Sequence, residues 1–144
     1  MLQIYRIGLQ DEMDFLLKLQ DDLPALSVEK TADEFCPVDY VVKQNGTIFL
    51  YMEIKNRNLD LRNYDTLMIG RRKLENILLI RQDVILIWVC KTTKTLYWIF
   101  FAKWMLELKV HLLNGKRVSY IGKSLCSTGY DDLLSNIQDC STST

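Results

Sequence analysis

The chain has 144 residues, 49% of them hydrophobic and 25% charged, the proportions of a globular protein long enough to bury one sizeable core. No basic-then-apolar leader opens it, and charges break every apolar run before bilayer length, so it is expected in the cytosol (the host's, if viral) with no membrane partner. Four cysteines without a Cys-x-x-Cys pair, and one histidine, His111, argue against a disulfide framework, a zinc site and histidine-dependent catalysis.

Net charge is zero, but it is unevenly spread. Residues 1–54 carry four basic and ten acidic side chains, 55–81 seven and three, 82–123 seven and two, and 124–144 none and three. The centre is therefore basic between acidic ends, and attraction for phosphate is a local matter that the zero sum does not cancel.

In chain order, residues 1–9 read as a short strand or an ordered tail. Residues 11–19 form a helix on the spacing of Met13, Leu16, Leu17 and Leu19, with acids in its first turn. Glu12 lies in line with Phe15, Leu16 and Leu19. Residues 20–36 are polar and acidic and read as a loop with a helical turn. Two apolar runs joined at Asn45-Gly46 then predict a β-hairpin. Residues 56–64 are an exposed loop. A helix capped by Asp65 or Thr66 is expected to reach about residue 81, with Ile69, Leu74, Ile77 and Leu78 inward and Arg71, Arg72 and Lys73 spread around one turn. Residues 83–90 are apolar on both faces and rich in β-branched side chains, which predicts a central buried strand. A second strand returns over 96–101, a short helix follows over 104–112, an edge strand over 116–121 and a last helix over 130–137. The whole is read as one domain, residues 1–138, with a disordered tail at 139–144.

The hairpin holds charges that a purely structural strand would avoid. Glu53 and Lys55 are two apart and share one strand face. Asp39 lies on the partner strand. Two acids and a lysine on one sheet face are the parts of a hard-cation site beside a proton-handling amine. Strand parity decides whether they meet. A two-residue Asn45-Gly46 turn sets Asp39 across from Met52 and points it away from Glu53. A three-residue loop with a bulge at Gly46, or a bulge elsewhere, for instance in 38–43, returns Asp39 to the face of Glu53.

Pro37-Val38-Asp39 followed by Glu53-Ile54-Lys55 resembles the signature of the PD-(D/E)XK nuclease superfamily, which includes Holliday-junction resolvases. Val38 stands where that motif has its aspartate, so the acid falls one place later. The run Tyr64-Asp65-Thr66-Leu67-Met68-Ile69-Gly70-Arg71-Arg72-Lys73 is similar to the segment after the motif in small phage-type members. The resemblance implies an α/β, restriction-endonuclease-like mixed sheet flanked by helices, with an αβββαβ-type core. It implies that Asp39 and Glu53, with the Ile54 carbonyl, bind Mg²⁺ or Mn²⁺, and that Lys55 orients the attacking water. It further implies that a first-helix glutamate completes the metal site, with Glu12 the candidate here and Glu29 and Glu34 the alternatives. Arg57, Arg71, Arg72 and Lys73 are expected to form a nucleic-acid-binding strip. The function expected is a metal-dependent endonuclease acting on DNA, with branched DNA among its substrates, RNA not excluded, and a homodimer possible because junctions are symmetric. The alternative is a catalytically silent nucleic-acid-binding or assembly module on the same fold.

Overall fold

The computed structural model describes residues 2–31, 36, 38–57, 61–80, 82–90, 95–101, 113–114, 118–123 and 126–142. At its centre β5 (Asp83–Cys90) is buried on both faces along almost its whole length, as its continuous apolar run requires. It pairs in parallel with β3 (Thr47–Arg57) and antiparallel with β6 (Leu96–Phe101). Outside β3 lie β2 (Tyr40–Gln44) and the edge strand β1 (Ser27–Lys30), and outside β6 lies β9 (Ser127–Thr128). A smaller sheet joins β4 (Thr66–Gly70), β8 (Val118–Gly122) and β7 (Leu113–Asn114), in the order β4-β8-β7.

Alternation along the strands separates two cores. Leu50, Met52 and Ile54 of β3, with Ile85 and Ile87 of β5, face Leu19 of α1 (Leu2–Asp22), Leu23 just past its end, and Leu133 and Ile137 of α3 (Tyr130–Thr142). Val84, Leu86 and Trp88 face the other way, against Leu67 and Ile69 of β4, Ile121 of β8, and Leu74 and Ile77 of α2 (Arg71–Leu78). Each such leucine or isoleucine contributes about 1.5–3 kcal/mol through burial, so β3 and β5 are fixed from both sides. Tyr51, Glu53 and Lys55 have the parity of the α2 side. The sequence α1, β1, β2, β3, α2, β5 gives the main sheet the expected αβββαβ order.

Several expectations are corrected. The first helix begins at Leu2, not near 11, so Glu12 lies in its middle. Met13 and Leu17 are exposed, while Leu19 is buried and Phe15 and Leu16 are partly buried against the core. Pro24 follows the end of α1, and the Gln20 side chain secures the turn: its Nε2 donates to the carbonyls of Leu23 (3.2 Å) and Leu26 (2.7 Å), and its Oε1 accepts from the Val28 N–H (2.9 Å). The chain then continues into β1 rather than remaining a loop.

The helix expected over 66–81 is a strand followed by a helix. Leu67 and Ile69 are buried while Met68 and Gly70 are exposed, a period of two that five residues of β-branched and apolar sequence hide inside a helical pattern. β8 is the middle of its sheet rather than an edge, and α3 continues through the expected tail to Thr142. The helix expected over 104–112, with His111, lies outside the described residues, as do Glu34, Pro37 and Arg81. None of the four cysteines forms a disulfide. No helix among the described residues is long and apolar enough to cross a membrane.

Candidate active site

The hairpin turn consists of two residues. Asn45 (φ 52°) and Gly46 (φ 79°) are both left-handed, as a type I′ turn needs, and Gln44 faces Thr47. Lys43 faces Ile48, but the next pair is Val42 with Leu50, so Phe49 has no partner and bulges out of β3. Neither a three-residue loop nor a bulge within 38–43 is used; the extra residue lies on the opposite strand. The effect on parity is the required one. Tyr40 faces Met52, and the same register carried one residue further sets Asp39 level with Glu53.

Among the described residues Glu53 is the only charged side chain in the buried set, at 1% exposure. Lys55 Nζ lies 3.2 Å from its Oε1, and Lys73 Nζ, from the first turn of α2, lies 3.3 Å from its Oε2. The Asp39 N–H also donates to Oε2, at 3.2 Å. Asp39, Glu53 and Lys55 thus come together, with Lys73 added from a separate element. Two opposed carboxylates on one sheet face are the hard oxygen donors that a divalent ion such as Mg²⁺ takes, and the site already gathers cations around a buried acid. Among the described residues no group of three or more His, Cys, Asp or Glu side chains is arranged to hold an ion.

Burial is the largest influence on Glu53 and pushes its carboxyl above the usual range; Lys55 opposes it, Asp39 adds to it and Lys73 opposes it. A carboxyl raised in the folded state binds more protons folded than unfolded. Its stability contribution is therefore complete below the ordinary pKa of 4.5 and is lost as pH rises through the folded value. The expected result, measured as melting temperature in chelator, is that Glu53→Gln shifts in the variant's favour relative to the parent as pH rises from 4.5 towards neutrality. A pH-independent difference would mean that the folded carboxyl is not raised.

Glu12 does not join this group directly. Its carboxylate accepts a hydrogen bond from the Tyr40 hydroxyl at 2.6 Å, and Tyr40 packs into the core on the α1 side. Burial first, then Glu12, Asp39 and Glu53, push the Tyr40 hydroxyl far up. Glu29 is paired with Lys43 at 3.0 Å on the β1 edge. Arg57 is half-buried, its guanidinium donating to the carbonyls of Asn56 and Met68, both at 3.3 Å, and burial lowers its pKa. Arg71 pairs with Glu75 at 3.1 Å, and Arg72 is exposed. A cavity of about 890 Å³ opens elsewhere, against Phe15, Leu96, Tyr97 and Tyr130, and none of Asp39, Glu53, Lys55 or Lys73 lines it.

Lys73 is the site residue that sequence reasoning assigned only to the nucleic-acid strip. The signal was present: Lys73 and the fully buried Ile77 are four apart, so they share the inward face of α2.

A mixed sheet flanked by helices, with an acid, an acid and a lysine at the β2–β3 hairpin, defines a restriction-endonuclease-like architecture. The fold is shared with D212, a nuclease from a fusselovirus (TM-score 0.57, 15% identity, covering 99% of this chain and 94% of that one). Hjc, a Holliday junction resolvase from Archaeoglobus fulgidus, aligns over 78% of this chain and 88% of its own with 19% identity and a TM-score of 0.49. No curated protein matches the chain. The family model described as "Phage putative PDDEXK endonuclease" matches residues 7–116, and the chain belongs to that family.

Proposed function

We propose that this protein is a divalent-metal-dependent endonuclease that hydrolyses DNA phosphodiester bonds. The observation that carries the reading is the buried Glu53 carboxylate, bracketed by Lys55 and Lys73 and level with Asp39. Membership of an endonuclease family supports it. Asp39, Glu53 and the Ile54 carbonyl are the proposed ligands of Mg²⁺ or Mn²⁺, with Glu12, hydrogen-bonded to the Tyr40 hydroxyl, as the outer acid. Bound there, the ion supplies the charge that acidifies a water and neutralises the phosphate in the transition state. Lys55, one-quarter exposed and anchored by Glu53, is placed to orient that water. Arg57, Arg71 and Arg72 hold neighbouring phosphates as charge-assisted donors. The reaction belongs in the cytoplasm, and the symmetry of a branched junction would suit a homodimer.

The test is cleavage of linear duplex, four-way junction and RNA substrates by purified protein with Mg²⁺, Mn²⁺ or chelator. Metal-dependent cleavage of DNA is expected. Binding of DNA without cleavage under any of these ions would instead support the silent binding module, a reading favoured by the fact that both Glu53 oxygens already carry ammonium partners. Lys55→Ala should retain Mn²⁺ and lose about 10²–10⁴-fold in cleavage rate, the range of a positioned proton-handling group. Full activity in single-turnover assays would remove Lys55 from the chemistry.

A further inference from the structure

We propose that Lys73 is a built-in counter-ion that occupies the metal side of Glu53 in the ion-free protein and is displaced to the substrate phosphate when a divalent ion binds. This rests on the metal-dependent reading above and adds a residue and an exchange to it. Glu53 has two oxygens and they are used differently. Oε1 faces Lys55, its neighbour on the same strand. Oε2 faces Lys73 at 3.3 Å and the Asp39 N–H at 3.2 Å, so it is the oxygen on the side of Asp39. An ion shared by Asp39 and Glu53 must approach through that side, where an ammonium now sits.

Both cannot occupy one oxygen. A divalent ion bonds carboxylate oxygen at about 2.0–2.6 Å, inside the space of the ammonium, and the two like charges repel at that range. Without an ion, a buried carboxylate left unpaired is costly, which explains why a second lysine reaches it from another element. Lys73 is suited to leaving. It lies on the first turn of α2, its side chain is 30% exposed, and its four-carbon stem can turn the ammonium outward while Leu74 and Ile77 keep the helix seated. Arg71 and Arg72 directly precede it, so an outward ammonium adds to the cationic face that DNA would meet. Lys55 is held by strand geometry beside Oε1 and can stay.

The experiment uses full-length protein and Mn²⁺ alone, by isothermal titration calorimetry without DNA, on the parent, Lys73→Met and Lys73→Gln. Removing the competing ammonium should tighten Mn²⁺ binding by about tenfold in both variants, and Mn²⁺ should raise their melting temperatures more than the parent's. DNA cleavage at saturating Mn²⁺ should fall in the same variants, because the phosphate contact is gone, and Lys73→Arg should recover part of it. Unchanged or weaker Mn²⁺ affinity in both neutral variants overturns the exchange, whether or not cleavage falls. Failure of the parent itself to bind Mn²⁺ is a separate result, which removes the metal-dependent reading and this inference with it. Because Lys73 is partly exposed, the Gln variant provides a folded sample should Met disturb the helix.

Discussion

Asp39→Asn and Glu53→Gln are each expected to abolish Mn²⁺ binding and to slow DNA cleavage at least about 10³-fold, a loss of roughly 4 kcal/mol of transition-state stabilisation. Each variant removes one of the two carboxylates proposed to hold the ion, and a hard divalent cation depends on such charged oxygen donors. The two variants should differ in the ion-free protein. Asp39→Asn removes a like charge beside Glu53 and keeps both lysines paired, so it should be neutral or mildly stabilising. Glu53→Gln leaves Lys55 and Lys73 without the acid they share, and their repulsion counters the benefit of no longer burying a charge. Calorimetry against Mn²⁺ and single-turnover cleavage measure the first effect, and thermal melts in chelator the second. Mn²⁺ affinity at the parental value in both variants would place the ion elsewhere.

The parts of the fold legible in the sequence are those where one local rule dominates. Residues 83–90 have no polar side chain after Asp83, which leaves no surface role for the strand. Asn45-Gly46 fixes its turn because both residues must adopt positive φ. The site triad was legible as two strand segments with one shared face, but its convergence was not. That depends on Phe49, an aromatic in an apolar run that nothing in the local sequence distinguishes from a regular strand residue. A bulge is set by how both cores pack on the sheet, and that is a tertiary matter. β4 was missed because Leu67-Met68-Ile69 satisfies a helix and a strand equally over three residues, and only pairing with β8 decides between them. Lys73 was visible as an inward position on its helix, yet nothing in the sequence says which strand that helix covers.

DNA affinity in chelator should fall steeply with salt, and the triple variant Arg57→Gln, Arg71→Gln, Arg72→Gln should lower the log–log slope by up to about 2.7, or 0.9 for each lost phosphate contact. The three should not contribute equally. Arg72 is exposed and can meet phosphate at little cost. The exposed Arg71–Glu75 pair is worth no more than about 1 kcal/mol, so Arg71 exchanges its carboxylate for a phosphate readily. Arg57 is half-buried and donates to two backbone carbonyls, so its loss should weaken the β3–β4 junction as well as binding. Fluorescence anisotropy against a salt series separates these cases, because a phosphate contact changes the slope while a structural defect lowers affinity at every salt concentration. Adding Lys73→Gln in chelator should change the slope little, since Lys73 is then held on Glu53, whereas with a bound divalent ion it should remove one further contact. A parental slope in the triple variant would take the α2 face out of the DNA interface and direct the search to the lysines that follow residue 82.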